Sequence, residues 1–456
     1  MAGRGILFGL TALLAAGTAL AVHFSERNAV QEKGFWPGVT EMRARDMLSR
    51  LLLNRQAHPD VVIVAADDKS VQEYGALPWE RSIWASALRN VQSGGAKVAA
   101  FDIALDTRTK DREDAALWRA MANGRRAVLG FGVDAEQTRW TPDDVRALRF
   151  LEKFAIVEKL ELPVVAAQTS FPWAYFDAPV SDFTQAARGA GVFVRETDPD
   201  GVIRHARSLY LSEVADPPNL TAPLPGKFPI TKLEGAFVTL TSLPVATATA
   251  ALQADKDNLA AEGGNLRLTP PGKTPTRIPV DTSTRMAIRY AGPAGTFPRH
   301  SLVDVARGKV PPATFENKVV LFGATADGAK ETDRRMTPEG LMPRVEITAN
   351  AVSNILSGHF LASARGYAAP AILMVLGLIA GAALARRTAA GAIKGGLLVT
   401  ALYLVAAWIV ASVWGLVFPL TPALLFLLLS TITAALILRA AAEGAGRRYE
   451  SLKPVA

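Results

Sequence analysis

From Gly395 to Leu438 the chain runs without a single charged residue. A helix rises ~1.5 Å per residue, and about 20 apolar residues cross a hydrocarbon core. This run is about twice that length, so it predicts two membrane helices with a turn between them. The turn belongs in "WGLVFPLTP", where Gly415, Pro419 and Pro422 interrupt helix geometry. Trp408, Trp414 and Phe418 suit the membrane–water interface near that turn.

Two further uncharged runs complete the pattern. Tyr367 to Ala385 leads directly into Arg386 and Arg387, and Gly5 to Val22 follows Arg4. The N-terminal run reads as an anchor. It also fits a cleavable leader, because Ala19-Leu20-Ala21 matches the small-x-small cleavage pattern, so removal of residues 1–21 stays open. Basic residues flanking membrane helices favour the cytoplasmic side. Four crossings, one N-terminal and three C-terminal, place Arg4, then Arg386, Arg387 and Lys394, then Arg439, Arg447 and Arg448 all inside. The expected organisation is an anchor (1–24), an exported domain (25–365), three membrane helices (366–439) and a short cytoplasmic tail (440–456).

Composition excludes several chemistries. There is no cysteine, which removes disulfides, thiolate metal sites and cysteine nucleophiles. The five histidines (His23, His58, His205, His300 and His359) include no pair at metal-ligand spacing, so no metal and no cofactor are expected. Lys plus Arg number 50 against 42 Asp plus Glu, a surplus that a solvated face or cytoplasmic membrane flanks explain. No dense basic patch interleaved with aromatics points to nucleic acid.

The exported segment alternates buried-strand and helix patterns. "TEMRARDMLSRLLLNRQA" reads as a helix with Met42, Met47, Leu48, Leu51 and Leu52 on one stripe. "VVIVAADDKS" (61–70) is a continuous β-branched run, as in a parallel sheet covered on both faces. "RSIWASALRNVQSGGAK" is a helix with a Gly-Gly stop, and "VAAFDIALD" (98–106) a second strand, giving a βαβ unit. "REDAALWRAMAN" and "RAVLGFGV" repeat the pattern. Asp198-Pro199-Asp200-Gly201 predicts a hairpin between "AGVFVRE" and "VIRHARSLYL". Residues 245–285 read as short surface strands and loops, before "RMAIRYAG" and "NKVVLFGATADG" restore buried strands. The expected fold is α/β, a mostly parallel sheet flanked by helices, attached to four membrane helices.

Ligands of open α/β sheets bind outside the carboxyl ends of the strands. Those ends carry Asp67 and Asp68, Asp102, and Gly323-Ala324-Thr325. Asp67, Asp68 and Asp102 are candidates to contact a ligand or cation; Asp67 alternatively caps a helix or pairs with Arg81. Pro78-Trp79 fixes a turn and buries an indole; Arg81 either ties that turn to a carboxylate or joins the candidates to contact a ligand. Gly323 and Thr325 are candidates to present N–H groups to an anion, or to allow close packing. Asp333, Thr337 and Pro338 lie in a loop placed to cover the pocket. "FGATADGAK" is not a nucleotide P-loop, because Ala329 precedes Lys330 and no Ser/Thr follows. No G-x-S-x-G elbow and no H-E-x-x-H is present.

In order along the chain, "VVIVAADDKSVQEYGALPWERSIWASAL", "GGAKVAAFDIALD", "DPDGVIRHA", "FENKVVLFGATADG" and "DRRMTPEGLMPRVEITANAVSNIL", followed by three apolar runs, resemble bacterial receptors bearing the type-two CHASE sensory domain. Ala66 departs from that family's usual Ile before the Asp pair. The larger departure is the absence of a cyclase, kinase or diguanylate-type domain before Ala456. The resemblance implies a sensor in the bacterial inner membrane that detects a small extracytoplasmic ligand with its periplasmic domain. Both termini are then cytoplasmic, with homodimerisation and a cytoplasmic or membrane effector protein as partners. A chain cut before its effector and a complete subunit serving a separate partner are both compatible with it. The alternatives are a scaffold subunit of an envelope complex and a periplasm-facing hydrolase, although no catalytic set is visible and an enzyme is not expected.

Overall fold

The computed structural model describes residues 38–53, 55–133, 152–156, 171–172, 176–213, 237–262, 264–281, 283–327, 332–363, 368–384 and 388–451, with two helical glycines, Gly9 and Gly17. The expected N-terminal anchor otherwise lies outside these residues. The chain divides into two compact units, residues 55–360 and residues 1–54 with 361–456.

The larger unit is built on β1 (Val61–Ala66), α1 (Asp68–Tyr74), α2 (Arg81–Ser93), β2 (Val98–Asp102), α3 (Asp111–Gly124), β3 (Ala127–Val133), β4 (Gly189–Val192), α4 (Leu243–Ala251), β5 (Arg299–Ser301), β6 (Val319–Ala324) and α5 (Arg344–Ser357). The strands lie in the order β5-β1-β6-β2-β3-β4, every neighbouring pair parallel. Phe176–Asp177 adds an antiparallel pair on β3.

All residues of β1, β2 and β6 are buried, and their alternation sorts them to two faces. Val64, Ala66, Phe101, Val320 and Phe322 pack on the first face with Trp84, Leu88 and Val91 of α2 and Leu117 and Met121 of α3. Val61, Ile63, Ala65, Val98, Ala100 and Leu321 pack on the second with α4 and α5. Burial on both faces is why these strands read as unbroken apolar runs. Helix α5 is buried on all sides from Arg344 to Ile355. Beyond it, Ile347, Ala351 and Ile355 join Ile203, Leu266, Ile278 and Met286 in a further core.

Three expectations change. Residues Leu243–Ala251 form a wholly buried helix, not surface strands. An Ala/Thr-rich helix packed all round leaves no polar stripe and so no helical period. The Asp198–Gly201 turn forms, with Gly201 at φ 79°, but its flanks do not pair with each other. Gly189–Val192 joins β3, whereas His205–Arg207 pairs with Arg285–Ala287. In Gly38–Arg50 and the turn after it, Met47 and Leu51 are exposed, so the apolar stripe is only partly covered.

In the smaller unit, helices Ala368–Leu384, Ala389–Trp414 and Leu420–Ser451 account for the C-terminal apolar runs. The break falls at Gly415, which closes its helix at φ 68° in the left-handed conformation that glycine favours. Two of these helices, Ala389–Trp414 and Leu420–Ala445 within the last, are long and apolar enough to cross a membrane; Ala371–Leu384 is shorter.

Candidate functional site

Strand connections define where a ligand crevice belongs. β1 and β2 lead into helices on the first face, whereas β6, lying between them, leads through the hairpin Arg334–Thr337/Gly340–Pro343 to α5 on the second. Adjacent strands with opposite exits make the switch point at which α/β sheets bind ligands. Asp67, Asp68, Asp102, Gly323 and Thr325 all fall at these three strand ends.

Asp67 is the N-cap of α1. Its Oδ1 accepts from the backbone N–H of Ser70 at 3.0 Å and from the hydroxyls of Ser70 and Ser301, each at 2.7 Å. The Asp-x-x-Ser spacing satisfies an orphan N–H of the first turn and ties β1 to β5. Asp68 Oδ1 accepts from the backbone N–H of Asp327 at 2.8 Å, joining the ends of β1 and β6.

Asp102 is 2% exposed. Its Oδ1 receives Arg344 Nε at 2.6 Å, its Oδ2 the Thr348 hydroxyl at 2.6 Å, and its carbonyl Arg344 Nη2 at 3.0 Å. Arg344 also reaches Asp333 through Nη1 at 2.8 Å and lies 4.2 Å from the centroid of Phe193. Gly130 makes room for that ring, since a Cβ there would stand 2.1 Å from it. Burial opposes the charge on Arg344, but Asp102 and Asp333 outweigh it and hold the guanidinium above its ordinary value. Asp333, at φ 45°, also takes Arg335 Nε on Oδ1 at 2.6 Å and lies 3.3 Å from Arg195 Nε.

Gly323 is required by packing: a Cβ would come within 2.5 Å of Val345, at the start of α5. Thr325 is 5% exposed. Its N–H donates to Ala66 and its carbonyl accepts from Arg334, while its hydroxyl has no partner among the described residues. Arg81 stands apart. Its guanidinium donates to the Thr107 carbonyl at 3.2 Å and lies 3.9 Å from Asp114, not at the strand-end carboxylates. Burial holds it below its ordinary value. Trp79 is buried and donates to the Gly75 carbonyl.

Arg344, Arg195 and Arg335 complete the cluster, and the sequence reading does not include them. Arg344 did carry a signal. A cation in the first turn faces the positive end of the helix dipole, so a buried arginine there demands a carboxylate nearby. Among the described residues no three Asp, Glu or His side chains converge as metal ligands.

Comparison with known proteins agrees with the resemblance. No curated protein and no solved structure matches the chain. The family model of the CHASE2 domain matches residues 17–384, and no effector family is found. With a parallel α/β unit in place and most of its length matched, the chain belongs to the CHASE2 domain family, a family of sensory domains of signalling receptors.

Proposed function

We propose that the chain is a bacterial inner-membrane sensor that detects a small extracytoplasmic ligand at the strand-end crevice and passes the signal through its membrane helices. The observation that carries this reading is the position of α5. Its first residue is locked to the end of β2 by Asp102, and its last turn runs through residues 358–360 into the unit that holds the apolar C-terminal helices. A ligand that binds one arrangement of the Asp102–Arg344 lock better than another shifts α5 by that difference in affinity.

Four crossings with both termini cytoplasmic are part of the proposal. The placement of Arg4, Arg386, Arg387, Lys394, Arg439, Arg447 and Arg448 supports it. So does the apolar exterior of the helices, where Leu397, Leu402, Val413 and Leu436 are each more than 60% exposed, as contact with lipid requires. Output passes to an effector protein, with a homodimer as the signalling form. No catalytic step is assigned to this chain, since Asp67, Asp68 and Asp102 are committed to amide, hydroxyl and guanidinium donors. A scaffold role is the second reading, favoured by the full hydrogen bonding of Asp102.

The test uses the absence of cysteine. A single cysteine introduced at Ala441 carries an environment-sensitive fluorophore in full-length protein in lipid nanodiscs. Asp102→Asn, which removes the charge of the lock, is expected to change its emission. An unchanged label in both Asp102→Asn and Arg344→Gln rejects transmission and leaves the scaffold.

A further inference from the structure

Asp333 gathers three guanidiniums. Arg335 donates from Nε to Oδ1 at 2.6 Å, Arg344 from Nη1 to Oδ2 at 2.8 Å, and Arg195 Nε lies 3.3 Å from Oδ2. Arg344 is shared with Asp102, so three guanidiniums and two carboxylates are joined by these contacts.

Two of the three guanidiniums are presented outward. Arg344 is buried, but the Arg195 and Arg335 side chains are 48% and 40% exposed. Both are held by Nε alone, and among the described residues their Nη1 and Nη2 atoms have no carboxylate or carbonyl partner. Arg195 is further steadied on Phe193, 5.4 Å from the ring centroid. Two guanidinium edges anchored on one carboxylate are already oriented before a ligand arrives, so little is lost in ordering them. Burial, then repulsion from Arg344 and Arg335, holds Arg195 below its ordinary value despite Asp333.

We propose that Arg195 and Arg335, held by Asp333, form a binding site for the oxyanion group of a small ligand, a carboxylate or a phosphate. The site rests on the sensor reading above and names its ligand class. Guanidinium edges bind both groups through paired N–H···O bonds. The anion shares Arg195 and Arg335 with Asp333, and so acts on the Asp102–Arg344 lock through the Asp333 carboxylate.

The test titrates full-length protein in detergent micelles with inorganic phosphate, and separately with succinate and citrate. Thermal unfolding is followed at ionic strength matched with sodium chloride. Phosphate or a carboxylate is expected to raise the midpoint where chloride does not. A response to phosphate alone assigns a phosphate ester, and a response to the carboxylates alone assigns an organic acid. Arg335→Gln and Arg195→Gln are each expected to weaken binding about 10- to 100-fold, with Arg335→Lys between wild type and Gln. Arg335→Gln carries the test alone if Arg195→Gln fails to fold. No response to any oxyanion, or a response that survives in the glutamine variants, overturns the site. The Ala441 label separates the two claims. A label that responds to Asp102→Asn without oxyanion binding overturns only the anion site; oxyanion binding with a silent label overturns only transmission.

Discussion

Arg344 Nε donates to Oδ1 of Asp102 across 2.6 Å, joining the first turn of α5 to the last residue of β2. Both side chains are almost wholly buried, at 5% and 0% exposure. A buried pair of this kind adds little over well-packed apolar residues, but removing one partner strands the other charge. Asp102→Ala is therefore expected to destabilise the larger unit by about 3–5 kcal/mol. The double variant Asp102→Ala/Arg344→Met should recover part of that loss, since Asp333 keeps Arg335 and Arg195. Hydrogen exchange at the slowest amides of β1 and β2, in detergent micelles, measures both. A double variant as unstable as the single one would contradict this account.

Acid should loosen the same unit in a defined direction. Asp198 is 6% exposed and faces Arg204 and His205, each at 3.2 Å, and Arg285 at 3.7 Å. Burial opposes its ionisation, but His205, Arg204 and Arg285 hold the carboxyl below its ordinary value. At Asp333 burial is likewise outweighed by Arg344 and Arg335. A carboxyl with a depressed folded value contributes stability that is complete above its unfolded value, about 3.9, and is lost as pH falls through the folded one. The contribution of these two carboxyls to the unfolding midpoint should stay level on lowering pH to about 5 and then be lost. Asp198→Asn should show a shallower drop. An identical slope in that variant would remove Asp198 from the explanation.

The sheet was legible because strands covered on both faces must be apolar at every position. "VVIVAA" and "VVLFGA" leave no helical reading at that length. The Asp67 cap was legible too, since its Ser70 donor lies three residues away in sequence. What escaped depends on distant partners. The Asp102–Arg344 pair spans 242 positions, and no local pattern couples them. The Asp198 turn was readable, but the strands beside it chose partners in β3 and in Arg285–Ala287, a choice made by tertiary packing. Helix α4 lost its period because every face is covered.

The last apolar helix, Leu420–Ser451, begins with a cap borrowed from far upstream. The Glu41 carboxylate accepts from the backbone N–H of Leu420 at 3.1 Å and of Thr421 at 2.6 Å. Arg45 bridges Glu41, at 2.8 Å, to the Ser363 hydroxyl, also at 2.8 Å. Ser363 itself belongs to a short strand that pairs in parallel with Leu416–Val417. The first N–H groups of a helix have no partner within it, and a carboxylate there also meets the positive end of the dipole. Glu41→Ala removes both effects and should cost about 1–2 kcal/mol locally. That corresponds to about 5- to 30-fold faster hydrogen exchange at Leu420 and Thr421. Glu41→Gln keeps one acceptor oxygen and should fall between. Both chain segments that lead to the larger unit, through Glu41 and through Ser363, hold the turn before this helix. The alanine variant should accordingly quicken exchange at Leu416 and Val417 as well, and unchanged rates at all four amides would show that the contact bears no load.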